Sequence, residues 1–147
     1  MTNNHEQELL IQLKSYLEPA VKVGLYNVQT LLNRNYQCID FETKSQYPTE
    51  LALSMRENMV TAKTQYQGAF NTYSITCFEH EDVENLLKIL MGEQEEPLIF
   101  DDFGLSAFGE IVSSFQNGFT QSLSGLLNKS IHFDRPETHI LTVKDAG

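Results

Sequence analysis

From Asp101 to Ser130 the spacing of apolar residues permits one long amphipathic helix and little else. Leu105, Phe108, Val112, Phe115, Phe119 and Leu126 recur at alternating short steps, which places an apolar stripe along one side. Another side carries Ser106, Glu110, Ser113, Asn117, Gln121 and Ser124. A solvated helix face usually carries Lys and Glu, but this one has a single carboxylate among hydroxyls and amides. Any function of the helix is therefore sought on that face. A strand-like Ile131-His132-Phe133 and then Pro136 follow it.

Part of this pattern occurs twice, 95 residues apart. Leu31-Leu-Asn-Arg-Asn35 matches Leu126-Leu-Asn-Lys-Ser130, and the apolar phase of Leu10, Leu13, Leu17, Ala20, Val28 and Leu31 maps onto Leu105, Phe108, Val112, Phe115, Leu123 and Leu126. The shared phase predicts an internal duplication, with repeats over about 8–92 and 101–147 and the second one shortened. The first repeat opens with a helix from about Glu8 to Asn33, kinked or restarted at Pro19. Tyr36 to Thr43 reads as a strand, a turn follows at Tyr47-Pro48, and Leu51 to Met55 reads as a short or irregular strand. Met59 to Tyr66 and Phe70 to Phe78 flank Gln67-Gly68 and predict a hairpin.

A short helix from about Glu81 to Met91 is expected next, with Val83, Leu86, Leu87 and Leu90 inward and Gly92 as its stop. An acidic linker with Pro97 leads to Asp101 and Asp102, which are placed to cap the long helix. Thr138 to Val143 continues the strand at Phe133 or forms a separate one. This order predicts an α+β fold, a single domain over 1–147 with long helices packed on an antiparallel sheet.

Composition narrows the function classes. A net charge of −10 argues against nucleic acid and against an anionic membrane surface. No run is long enough to span a membrane, and the polar N-terminus lacks the regions of a signal peptide. Cys38 and Cys77 are expected as free, buried thiols in a reducing cytoplasm, and neither has a basic neighbour to activate it. The four histidines, His5, His80, His132 and His139, have no metal-ligand spacing with a Cys or a clustered acid. No metal site, cofactor or phosphate loop is expected. The acid-rich stretch from Glu79 to Asp102 is open to two readings, a solvated helix and linker or a docking surface for a basic partner.

The run Leu105-Ser-Ala-Phe-Gly-Glu110-Ile-Val-Ser113, continuing through Leu126-Leu-Asn-Lys-Ser-Ile-His-Phe-Asp-Arg-Pro136, resembles the CheC/CheX/FliY family of chemotaxis and flagellar-switch proteins. The hairpin and short helix from Gln67 to Gly92 resemble the elements that precede the motif helix in CheX-type members. The family motif has Asp or Ser, a Glu four residues on, an Asn three further, and a Pro beyond the helix. Ser106, Glu110 and Pro136 match, whereas Ser113 replaces the Asn. The resemblance implies a pseudo-duplicated fold and a cytoplasmic domain. Its partners would be a phosphorylated CheY-type response regulator and, in some members, flagellar switch proteins.

In the resembled reaction the regulator supplies the phosphorylated aspartate and the Mg²⁺, so the helper itself needs no cofactor. The helper's Glu docks against a regulator lysine and its amide orients a water in line with phosphorus. A Glu and an Asn three residues apart suit this because they project side by side. Glu110 keeps the docking role, while the Ser113 hydroxyl is shorter than the amide and can turn back onto its own backbone. Three readings follow. The face Ser106–Glu110–Ser113–Asn117 binds the receiver with phosphatase activity weak or lost, or the chain is a non-catalytic module of the flagellar motor switch. In the third reading it is an active phosphatase using Glu110 with Asn117 or Gln116. The family's further strand pair has no counterpart after Val143, which would leave an open sheet edge and invite a homodimer.

Overall fold

The computed structural model describes residues 4–38, 40–44, 46, 59–92 and 102–141. Its elements run α1 (Asn4–Leu32), β1 (Met59–Gly68), β2 (Thr72–Glu79), α2 (His80–Leu90), α3 (Asp102–Leu127), β3 (Ile131–Phe133) and β4 (Glu137–Leu141). The fold is α+β, with helices over one face of an antiparallel sheet. β1 is the central strand, and it alternates. Val60, Ala62, Thr64 and Tyr66 are buried under the helices, while Gln65 and Gln67 face solvent. One core cluster joins Val60 and Ala62 to Val28 and Leu32 of α1, Val83 and Leu87 of α2, and Phe108, Ile111 and Val112 of α3. A second, at the other end, holds Ala20, Tyr66, Leu123 and Ile131.

β2 pairs with one side of β1 in the expected hairpin, from Met59 opposite Glu79 to Tyr66 opposite Thr72. The other side of β1 is shared. β3 pairs with Tyr66–Gly68 and β4 with Met59–Lys63, both antiparallel. Thr138 and its neighbours therefore continue β3 along the same edge, with a break at residues 134–136. Gly68 closes the corner with φ +108°, and a Cβ there would lie 2.3 Å from the Ser130 carbonyl oxygen. Only glycine fits that position.

The two helix ends 95 residues apart share one local structure. Asn33 and Asn128 take left-handed φ values of 53° and 54°, and Arg34 N–H and Lys129 N–H each reach back 3.1 Å, to the Gln29 and Ser124 carbonyls. This is the six-to-one bond of a Schellman stop, with Asn in place of the commoner Gly.

Several sequence-based expectations are corrected. α1 runs unbroken through Pro19, because Pro19 lies on the solvent side and the carbonyl it leaves without a donor belongs to exposed Ser15. The segment from Tyr36 to Thr43 joins no ladder among its described residues. Side-chain exposure alternates within 36–38 and within 40–44, but the phase changes between the two pieces. Cys77 is exposed on β2 and Cys38 is half-buried, so neither is a core thiol. Leu126 is 47% exposed, and Leu127 packs against the second core cluster in its place. The expected turn at Tyr47-Pro48, the strand at Leu51–Met55, the linker at Glu93–Phe100, the Asp101 cap and the end of the chain from Thr142 lie outside the described residues, as does the Asp102 side chain.

Candidate functional site on the outer face of the long helix

α3 is held on three sides. Against α1, Asn27 Nδ2 donates to the Ser114 carbonyl at 3.2 Å, and Ser114 Oγ returns a 3.3 Å bond to the Asn27 carbonyl. Against β1, buried Gln116 accepts a 2.7 Å bond from the Tyr66 hydroxyl, which also lies 2.8 Å from Ser74 Oγ. Against β4, Thr138 Oγ1 donates to the Leu105 carbonyl at 3.2 Å. The strip left over carries Ser106, Glu110, Ser113, Asn117 and Gln121, of which Ser113 is half-buried and the others exposed. The four site residues expected from spacing therefore share one outer face. Their successive steps of three and four residues keep neighbours about 4.5–6 Å apart along the axis.

Glu110, Ser113 and Asn117 have no hydrogen-bond or ion-pair partner among the described residues. The Ser113 hydroxyl does not turn back onto its helix as Thr120 does, whose Oγ1 donates to the Gln116 carbonyl at 2.7 Å. These three polar groups are thus available to an external partner. Gln116 is not. Buried and bound to Tyr66, it cannot serve as a water-positioning amide at the surface.

Two residues that spacing did not single out complete the face. Phe103, one turn before Ser106, is 70% exposed. It falls out of phase with the buried stripe and seven residues before Glu110, a signal visible in the sequence. Arg135, from the break between β3 and β4, donates from Nη2 to Ser106 Oγ at 3.2 Å. Only the fold could bring it there. Ser106 and Arg135 line a cleft of about 220 Å³ with Leu105, Gly109, buried Pro136 and Thr138. A larger cavity, about 610 Å³, lies elsewhere between α1, α2, α3 and β2, walled by residues such as Val28, Phe78, Leu86 and Phe115. Its chemistry is apolar, and the site residues do not line it.

Among the described residues no group of three His, Cys, Asp or Glu side chains could hold a metal ion. Partial desolvation of the Cys77 thiol raises its pKa, the opposite of what a thiolate nucleophile needs. The arrangement suits docking and the orientation of a water or phosphoryl group supplied from outside.

The sheet order and the helix layer are those of a CheC/CheX/FliY-type fold. FliY from Thermotoga maritima superposes with a TM-score of 0.82 at 18% identity, covering 99% of this chain and 73% of that one. The chemotaxis protein CheX from Desulfovibrio desulfuricans gives 0.61 at 15% identity, covering 87% and 79%. A chemotactic CheC-like protein from Shewanella oneidensis MR-1 gives 0.62 at 14% identity, covering 88% and 82%. No protein-family model and no curated protein sequence matches the chain. Among the described residues no helix is long and apolar enough to cross a membrane.

Proposed function

We propose that this chain is a cytoplasmic chemotaxis or flagellar-switch regulatory domain that docks a phosphorylated CheY-type receiver on the outer face of α3. The observation that carries this reading is the free carboxylate of Glu110 between Ser106 and Ser113 on an exposed helix face of a CheX/CheC/FliY-type fold. Glu110 meets a cationic side chain of the receiver, and Ser106 and Asn117 supply hydrogen bonds on either side. The phosphorylated aspartate and its Mg²⁺ belong to the partner, so the chain needs no cofactor.

Phosphatase activity is weak or lost. A water in line with phosphorus must be held by a group of fixed reach, and Ser113 offers only a hydroxyl where the motif has an amide. Asn117 stands four residues on, about 6 Å further along the helix axis, so its amide does not occupy the same place.

The test is a titration of the isotope-labelled protein with a phosphorylated CheY-type receiver, following backbone amides by NMR. Shifts should centre on Ser106, Glu110, Ser113 and Asn117, and Glu110→Ala should weaken the complex without unfolding the domain. A titration that leaves this face undisturbed overturns the proposal. A purely structural role in a motor switch is what remains if Glu110→Ala changes no partner affinity.

A further inference from the structure

The break between β3 and β4 contains one residue too many. Phe133 stands opposite Tyr66 and Glu137 opposite Lys63, so residues 134–136 on the edge face only residues 64–65 of β1. An extra residue on one strand of an antiparallel pair is a bulge, which bends the strand and re-aims its side chains. Asp134 N–H still reaches the Gln65 carbonyl at 3.0 Å, Pro136 is buried, and Arg135 is exposed beside α3. The bulge thus delivers a guanidinium to a helix whose 26 residues include no Lys or Arg.

How that guanidinium is used matters more than its presence. In a chain of net charge −10 an arginine near a carboxylate is expected to pair with it. Arg135 does not pair with Glu110, which stands one turn beyond Ser106. It spends one donor on the Ser106 hydroxyl, and the rest of its five N–H groups have no partner among the described residues. Among the described residues the face therefore offers an unpaired carboxylate and a guanidinium with donors to spare, with no ion pair between them. Its complement is a partner surface carrying a cation and, beside it, a planar or tetrahedral oxyanion. Guanidinium matches phosphate oxygens two at a time, which a lysine cannot do.

We propose that Arg135 binds the phosphoryl group of the receiver and makes docking on this face depend on phosphorylation. The inference rests on the receiver-binding reading above. Glu110 supplies affinity for either form of the receiver through its cationic partner. Arg135, steadied by Ser106, supplies the increment that distinguishes the phosphorylated form. The phosphoryl group, and not the receiver's own metal-binding carboxylates, is the ligand, since those carboxylates are present in both forms.

The experiment measures affinity for a CheY-type receiver in Mg²⁺, with and without beryllofluoride as the phosphoryl mimic, by calorimetry. The native chain should bind the beryllofluoride form about tenfold tighter or better, the scale of one or two charge-assisted hydrogen bonds. Arg135→Gln should bind the unmodified receiver as the native chain does and lose the increment. Ser106→Ala, which leaves the guanidinium but removes its anchor, should keep part of it. The thermal midpoint of Arg135→Gln should match the native one, because the side chain is exposed. An increment that survives Arg135→Gln overturns the inference, as does a native chain indifferent to beryllofluoride, and both leave the receiver-binding reading standing. Absence of binding to either form overturns both.

Discussion

Tyr66 and Gln116 show how one polar pair can fix a helix to a sheet. The Tyr66 hydroxyl donates to Gln116 Oε1 beneath α3, where Gln116 is 1% exposed, so neither group can turn to water if the other is lost. Tyr66→Phe strands the Gln116 amide and should cost about 1–3 kcal/mol of unfolding free energy in urea titrations. Glu110→Ala, at an exposed position, should stay within about 0.5 kcal/mol in the same assay. The pair also sets a pH dependence. Burial pushes the Tyr66 pKa above 10.0, and its hydrogen bonds to Ser74 and Gln116 only partly oppose this. Above pH 10.0 the unfolded chain releases the Tyr66 proton while the folded chain keeps it, so stability falls as pH rises. A urea midpoint followed from about pH 9 upward should therefore drop more steeply for the native chain than for Tyr66→Phe. An equal slope in both would mean that Tyr66 ionises as freely in the fold as out of it. The helical spacing placed Gln116 off the polar face. What it could not supply was the tyrosine across the sheet that makes this glutamine structural.

At the scale of elements, the crossing of α1 and α3 is made possible by two glycines. A Cβ on Gly118 would lie 2.7 Å from the Val23 carbonyl oxygen, and one on Gly24 would lie 2.6 Å from the Phe115 ring and 2.8 Å from its carbonyl oxygen. Backbone atoms cannot retreat as a side-chain tip can. Gly118→Ala should thus destabilise by about 1–3 kcal/mol, even though alanine is the better helix former by about 1 kcal/mol. Gly125, later in the same helix, has nothing among the described residues within 4 Å of where a Cβ would stand, so Gly125→Ala should stabilise by about 0.5–1 kcal/mol. Thermal midpoints that move in opposite directions for the two variants would confirm the close crossing, and a gain at Gly118 would refute it. The apolar phases of α1 and α3 were legible because a helix reports its buried side every three or four residues. The segment from Tyr36 to Thr43 was misread for a related reason. Alternation marks which side chains can be half-buried, but a strand also needs a ladder partner, and the described residues of this segment have none.

At the scale of the whole molecule, likeness of fold outlasts likeness of sequence. A chain 18% identical to FliY of Thermotoga maritima keeps its fold at a TM-score of 0.82, because the fold rests on periodic burial, a glycine corner and helix stops that many sequences can satisfy. The candidate site was legible to the extent that it lies on one helix. Ser106, Glu110, Ser113 and Asn117 occupy the predicted face, whereas Arg135 enters from a bulge 29 residues away in sequence from Ser106. Water-positioning chemistry tolerates much less substitution than the fold does. If everything except the amide is in place, restoring it should restore the reaction. On the receiver-docking proposal, Ser113→Asn puts an amide three residues from Glu110 on the docking face, and its expected effect is to speed decay of the phosphorylated receiver about 10²-fold over the native chain. The measurement is the phosphate lifetime of a CheY-type receiver with the native chain, with Ser113→Asn, and with neither. A fast native chain would place the working group elsewhere on the face, and Asn117→Ala would then abolish it. A slow variant that still binds the receiver would mean that the helix docks in a register where residue 113 does not reach the phosphorus, so the loss of chemistry would lie in the docking geometry as well as in the side chain.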